Sequence, residues 1–499
     1  MKKFLLSALS LMCFAFTVNA QTELSSFTNT GHGGATTFAT DYQCTGINPA
    51  NLGWAWKYDT RKCALGFNEM TASIHSEALQ KNELRDFIKQ SISGNFNDFT
   101  RQQKLDAAKN FTSTGFAINI DYGLCGFGFT TKHAGGFAFR VSDRFQWYSQ
   151  LGAQASDLLF MGKTSSYFDS LQYIIPSGQM NAGDTVNIAN YANMSPDSVA
   201  NVLAGYASAA VAKKMGQVMN GSEITMSWTR EWNVSYGRRI FGDSVFALFG
   251  GIGVKYVQGT GYMSIKSEND KLTAISSLSP GFNVDYGTAQ AAANSVSGSG
   301  FPPKTVGSGF GFDFGLNCII ANKLKIGASI INMGSITWKG NVYQVRDTFL
   351  FKTMNPGMNN YNLPGNLKDM IGQNGFMELV GQKEIKTQLP SMGRFGASFM
   401  IKKRAELGFD MIFPFNSVAG SFNKPLIGFG GDVLPCKWLK LQAGFMTGGN
   451  YKFSIPVGII FITKDGGFEA GVASRDAITF FTQNGPTISL STGFMRFRF

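Results

Sequence analysis

Along much of the chain, apolar and polar residues alternate with a period of two. Ala405, Leu407, Phe409, Met411 and Phe413 share one face of a run whose other face carries Glu406, Gly408 and Asp410. Leu439, Leu441, Ala443 and Phe445 alternate with Lys440, Gln442 and Gly444, and Phe468, Ala470 and Val472 with Glu469 and Gly471. Met226, Trp228, Trp232, Val234 and Tyr236 alternate with Thr225, Ser227, Thr229, Glu231, Asn233 and Ser235. This pattern predicts strands with one apolar face. Further strand-like runs cover 54–68, 112–121, 124–131, 135–141, 244–262, 271–286, 307–320, 323–343, 392–402, 426–434, 453–463 and 487–499. With some merging, they predict an antiparallel barrel of about 14 strands, in an even-numbered range of roughly 12 to 16.

Two ends of the chain decide where the apolar faces point. Lys2 and Lys3, an apolar stretch over 4–18 and the small-residue exit Val18-Asn19-Ala20 form a cleavable export signal over 1–20, which would leave a chain starting at Gln21. Cys13 lacks the small residue expected before a lipidated cysteine. At the other end, Met495-Arg496-Phe497-Arg498-Phe499 finishes a strand-like run on an aromatic residue. An exported chain ending this way predicts a strand of a barrel in the outer membrane of a Gram-negative cell, with Phe497 and Phe499 as its carboxy-terminal assembly signal. A closed barrel is one of only two ways in which a backbone crosses lipid with its polar groups satisfied. The apolar faces then meet lipid and the polar faces meet the lumen. An arginine or lysine on the lipid face near the midplane costs about 2–4 kcal/mol. Glu406, Asp410, Lys440 and Glu469 keep to the polar face; Arg230 does not, which places it near a rim or in a different register.

The gaps between strands predict long connections at one mouth, opposite tight turns such as Lys464-Asp465-Gly466. Residues 76–110 read as helical around Leu79, Leu84, Phe87, Ile88, Phe99, Leu105 and Ala108, with Gly94 between two segments. Ser195-Pro196-Asp197 reads as a helix start leading into 199–218. The excursions therefore lie around 76–110, 145–220 and 346–386, within a barrel region of 56–499.

Composition agrees. Charged residues make up 15% of the chain, below the soluble average of about 25%. The 59 Gly and 45 Phe suit bending strands and aromatic girdles. The net charge of +12 drops by two with the signal, and the longest basic run is Lys402-Lys403-Arg404, so lipopolysaccharide phosphates or a polar lumen fit it better than nucleic acid. Cys44, Cys63, Cys125, Cys318 and Cys436 remain after the signal; an odd number cannot all pair. Cys44 and Cys63 are near enough for one bridge, but isolated thiols are the simpler reading. His32, His75 and His133 have no cysteine or carboxylate at metal spacing, His133 with Ser142 makes no readable hydrolase, and Gly250-Gly251-Ile252-Gly253 opens no helix. No catalytic, cofactor or metal site is expected.

Residues 25–56 do not alternate. They run Gly31-His32-Gly33-Gly34-Ala35-Thr36-Thr37-Phe38-Ala39-Thr40-Asp41, then Thr45-Gly46-Ile47-Asn48-Pro49-Ala50-Asn51-Leu52-Gly53. In its Gly-Gly-Ala stretch, acidic residue and Asn-Pro-Ala-x-Leu element the segment resembles the FadL-like long-chain fatty acid transporters of the outer membrane and their secretion-associated PorV-like relatives. The end of the chain, with Gly471-Val472-Ala473-Ser474-Arg475-Asp476 and 494–499, is more similar to an uncharacterised branch known as a domain of unknown function. The resemblance covers the first thirty or so residues after the signal and the last forty or so; the middle shares only strand rhythm.

The resemblance implies a plug, or hatch, over 21–55 built on Gly33, Gly34, Asp41, Asn48, Pro49 and Ala50, and a strand kink at Gly135-Gly136, for which an ordinary bulge is the better explanation. It implies passive transport of hydrophobic or amphipathic small molecules through a plugged lumen. The alternatives are an accessory docking barrel of a secretion or gliding-motility machinery and a structural surface barrel without transport. An apolar, continuous lumen would favour transport; a large exposed apolar patch on the loops would favour docking. Expected partners are outer-membrane lipid and lipopolysaccharide, the barrel-assembly machinery, and a hydrophobic ligand or a secretion-system subunit.

Overall fold

A computed structural model describes residues 23–499 apart from 55–60, 80, 132, 192–193, 244, 287–290, 299, 301, 365–376, 402–403, 423, 450, 464–465 and 479–486. The export signal, Lys402, Lys403 and most of the 464–466 turn lie outside the described residues. Fourteen antiparallel strands close on themselves. They are β1 (Cys63–Ser76), β2 (Gly115–Thr131), β3 (Gly135–Gln150), β4 (Ser222–Gly242), β5 (Phe246–Glu268), β6 (Gly307–Ile320) and β7 (Leu324–Trp338). The second half comprises β8 (Met392–Ile401), β9 (Ala405–Pro414), β10 (Leu426–Cys436), β11 (Leu439–Gly448), β12 (Val457–Ile462), β13 (Phe468–Ser474) and β14 (Thr487–Arg498). Each strand pairs with the next, and β14 returns to β1 through Ala64–Arg498 to His75–Thr487. Closure leaves the ladder without a free edge.

The alternation is turned inside out relative to a soluble protein. Phe127, Trp232, Val234, Ile252, Phe312, Phe314, Phe395, Leu407, Phe429, Phe445, Phe461 and Leu490 are exposed. The residues between them, among them Glu231, Asn233, Asp313, Asp410, Gln442 and Glu469, are buried. An exterior that is apolar around its whole circumference belongs in a bilayer. None of the described helices is long and apolar enough to cross a membrane; the strands do so.

Short turns after β2, β4, β6, β8 and β10 gather at one end with residue 499. The long connections gather at the other and fold into a cap. Helix Lys81–Ser93 ends at Gly94, whose φ of +71° a side chain would resist, and helix Arg101–Asn110 follows after a short irregular stretch. The second starts on a capping box: Thr100 Oγ1 accepts from Gln103 N at 3.3 Å and Gln103 Oε1 from Thr100 N at 2.8 Å. These helices, helix Ala153–Met161 and the upper ends of β3 to β5 share an apolar core that includes Leu79, Leu84, Phe87, Phe111, Trp147, Phe160, Met215 and Met263.

Several predicted boundaries are corrected. The runs 112–121 and 124–131 are one strand, β2, with a register shift between Gly123 and Cys125. Strand β3 extends to Gln150, so the excursion placed at 145 begins later. The helix expected through 199–218 is only Pro196–Ala200; Val202–Tyr206 is a strand in a small sheet with Ser170–Ile174, Thr185–Ala189 and Lys352–Thr353, and Met215–Val218 is a single turn. Its alanines favour helix, and pairing with Ser170–Ile174 overrides that preference. Arg230 is not in another register, which leaves the expected place near a rim: it stands on the outward face and pairs with Asp143 of β3 at 2.7 Å. Cys44, Cys63, Cys125, Cys318 and Cys436 are all free thiols.

Candidate functional site

Residues 23–54 lie against the inward face of the strands, and nearly every side chain of this segment is buried. Polar groups hold it. Asp410 of β9 accepts from Ala35 N at 2.8 Å, Thr36 N at 3.1 Å and Thr36 Oγ1 at 2.5 Å. Beside it Arg394 of β8 reaches Thr36 Oγ1 at 3.2 Å and Leu24 O at 3.3 Å. Arg475 donates from Nε to Glu23 Oε1 at 3.0 Å and from Nη2 to Glu23 O at 2.5 Å and Ser25 Oγ at 2.9 Å. Arg496 of β14 bridges Asp41 Oδ2, at 2.5 Å, and Glu469 of β13. Tyr42 Oη, at 2.5 Å, and Gln43 Nε2, at 2.8 Å, both donate to Glu69 Oε1 of β1. Ionised partners make these the stronger kind of hydrogen bond, and burial makes each costly to break one-sidedly.

The Asn48-Pro49-Ala50 element is seated differently. Asn48 Oδ1 caps the short turn Pro49–Gly53 by accepting from Ala50 N at 3.1 Å, while its Nδ2 donates to Asn317 Oδ1 of β6 at 3.0 Å. Asn317 in turn donates to Asn51, and Ser329 Oγ of β7 to Ile47 O at 2.6 Å. Beneath the turn runs a row of directly paired glycines on four neighbouring strands, Gly136–Gly237–Gly251–Gly315. A Cβ at any of them would collide with the turn: with Leu52 O at Gly136, Pro49 O at Gly237, Pro49 and Ala50 N at Gly251, and Asn48 Oδ1 at Gly315. A second paired row, Gly408–Gly430–Gly444, receives the Phe38 ring and the His32 carbonyl. The inner wall is therefore glycine where the segment's backbone touches it and charged where its turns need partners.

Above the segment the wall continues as a chain of ion pairs. Arg144 meets Asp121 at 2.7 Å and Glu231 at 3.9 Å; Lys255 meets Glu231 at 3.7 Å and Asp313 at 3.2 Å. Below it, at the short-turn end, lies a polar cavity of 190 Å³ whose lining includes His32, Phe38, Trp54, Lys325, Glu406, Asp432, Lys440, Glu469, Arg496 and Arg498. Among the described residues no group of three or more His, Cys, Asp or Glu could hold a metal ion.

The predicted residues fall as follows. Gly34 borders Asp410, Gly33 borders Met446 with a φ of +69°, and Asp41 sits at φ +47° under Arg496. Ala50 packs with Trp54, Ala247, Phe249 and Ile319. Gly135 opens β3 at a short turn with φ +85°, and no register shift interrupts pairing there; Gly136 belongs to the glycine row. Phe497 lies 5.4 Å from the Phe468 ring. Exposed Phe499 closes the seam through its backbone, donating to Cys63 O at 2.9 Å and accepting from Cys63 N at 3.1 Å and Lys62 N at 2.6 Å. Sequence reasoning missed the inward glycines and the holding residues Arg394, Arg475 and Arg496. The glycines left only an ambiguous trace, Gly237, Gly251 and Gly315 standing at the polar parity of strands whose other face carries Tyr236, Ile252 and Phe314.

Three solved structures are among those to which the chain is similar. The Pseudomonas putida toluene transporter TodX matches at 9% identity over 97% of this chain and 99% of that one, with a TM-score of 0.40. The Ralstonia pickettii toluene transporter TbuX matches at 10% identity, 96% and 99% coverage and a TM-score of 0.41. A Pseudomonas aeruginosa FadL homologue matches at 10% identity, 97% of each chain and a TM-score of 0.38. At these scores the barrel stands on its own strand pairing. No curated protein matches the chain. The model of a family of unknown function, DUF5723, matches residues 185–455, more than half of the sequence, and the chain belongs to that family.

Proposed function

We propose that the chain is an outer-membrane channel for small amphipathic or hydrophobic compounds, closed by residues 23–54 acting as a plug. One observation carries the reading: the segment that occupies the lumen is held to the wall by ion pairs and hydrogen bonds over glycine rows. Such bonds can be exchanged for water when a segment moves as a unit, each at a net cost of about 0.5–1.5 kcal/mol, or roughly 1.5–3 where a charge takes part. The polar, charged lumen differs from the apolar path expected for a purely hydrophobic cargo, and it favours a solute with a polar end. Passage would be passive, by plug displacement and diffusion.

The test is uptake of a fluorescent naphthylamine into vesicles carrying the protein, with conductance in planar bilayers recorded in parallel. Arg475→Ala combined with Arg496→Ala should raise both severalfold over the wild type. A lumen that stays shut while hydrogen exchange reports 23–54 as released would refute the channel.

A second reading has its own support. Phe349, Phe351 and Met354 on the cap are exposed, and the two rings lie 5.9 Å apart. An accessory barrel that docks onto a secretion or motility machine would use such a patch. Phe349→Ser with Phe351→Ser should then abolish co-purification of a large partner and leave dye uptake unchanged.

A further inference from the structure

The outer surface of β4 to β7 carries a groove of 620 Å³ that the lumen does not account for. Ile240, Ile252, Phe314, Leu316 and Ile330 form its sides, and it is deep because Gly250 and Ala328 stand at outward positions where neighbouring strands carry large side chains. Its volume lies within the roughly 300–1,000 Å³ usual for small-molecule sites. One charged group borders it. Arg238, near the Gly242 end of β4, lines the groove, is exposed, and makes no ion pair among the described residues. An unpaired guanidinium on the outer wall costs little only at the depth of the headgroups.

We propose that this groove is a seat for one glycerophospholipid of the leaflet at the short-turn end, with an acyl chain lying between Ile252 and Leu316 and the phosphate on Arg238. The charge decides the occupant. A second copy of the barrel would meet an apolar face with an apolar face and leave Arg238 without a counter-ion, whereas a phospholipid has one anionic group at one end of an apolar chain. Arginine suits phosphate because its planar fork donates two parallel hydrogen bonds. Gly251 and Gly315, which line the groove, also belong to the row that seats the Asn48–Ala50 turn. Lipid and turn are thus separated by one thickness of backbone. The inference rests on the barrel spanning a membrane and is independent of passage through the lumen.

The test is native mass spectrometry of the full chain, purified in mild detergent and exchanged into a phospholipid-free micelle, with bound phospholipid quantified. Wild type should retain a phospholipid mass. Arg238→Ala should weaken retention about tenfold, the loss of roughly one charge-assisted hydrogen bond. Ala328→Phe, which fills the groove from an outward position, should abolish it, and Arg404→Ala at another short turn should change nothing. Heat-modified gel mobility identifies variants that still fold as closed barrels. Equal retention by the wild type, Arg238→Ala and Ala328→Phe would overturn the proposal, as would equal loss in Arg404→Ala or a bound neutral hydrophobe in place of phospholipid. The Arg238 and Ala328 variants should leave dye uptake unchanged, so failure of the seat and failure of the channel are separable.

Discussion

The cap and the amino-terminal segment are both packed onto the barrel, and they are held by opposite means. The cap buries apolar side chains: Phe111 lies 5.2 Å from Phe160, Phe87 lies 5.9 Å from Phe116, and Leu79, Leu84 and Trp147 close the space between. The segment offers few such contacts to the wall and many polar ones, from Glu23 with Arg475 to Asn48 with Asn317. An apolar core has no substitute in water, so a cap built this way stays assembled. Carboxylates, guanidiniums and amides find equivalent partners in water. On the channel proposed above, that difference makes the cap the lasting region and the segment the releasable one.

The largest effect should come from the cap. Phe160→Ala removes a fully buried ring and should cost about 3–5 kcal/mol, read as loss of protease resistance over 77–114 and 151–221 with the barrel still closed. A cap that remains resistant would mean that its core is not what holds it. A loss of similar size but narrower reach is expected from Arg475→Ala, which strips Glu23 of a buried partner; breaking one side of such a pair costs roughly 3–5 kcal/mol. Hydrogen-exchange protection should vanish across 23–54 and persist in β1 to β14. If the barrel melts together with the segment, the two are one cooperative unit and the contrast with the cap collapses.

A smaller change separates seat from strand. Gly251→Val puts two methyl groups under Pro49 and Ala50, an overpacking worth about 1–3 kcal/mol, whereas Gly250→Val, one residue away, points outward and should spare the segment. Protection of the 48–53 amides distinguishes the two. This pair also shows where the sequence was readable. The barrel was legible because period-two alternation survives inversion: Leu407, Phe409 and Met411 read as one face whether that face meets core or lipid, and the expected export signal pointed to lipid. The glycine rows were not legible, because Gly237 and Gly251 look the same whether they bend a strand or receive a neighbouring backbone. The strand Val202–Tyr206 was hidden for a related reason, since its pairing with Ser170–Ile174 is long-range and leaves no local mark. The Asn48-Pro49 turn was readable from cap and proline alone; the arginines that hold the rest of the segment lie hundreds of residues away.

The smallest expected effect tests where the outer wall ends. Arg230 and Asp143 face outward and pair through two of the guanidinium nitrogens, Nε at 2.7 Å and Nη2 at 2.8 Å. Beside them Tyr122 Oη donates to Asn68 at 2.7 Å and Trp232 Nε1 to Gln258 at 3.0 Å, and the register aligns Tyr122, Asp143, Arg230 and Gln258 across four strands. Toward the short turns the outward positions are Trp232, Val234 and Tyr236; toward the cap, Trp228 meets Phe145 and Phe282. This polar row is the upper border of the lipid-facing belt. Asp143→Ala leaves Arg230 without its counter-ion, which should cost about 0–1 kcal/mol at a rim and barely move the unfolding midpoint in bilayers. A cost of roughly 2–4 kcal/mol would place the pair near the midplane, raise the belt toward the cap, and bring the cap's lower core into contact with lipid.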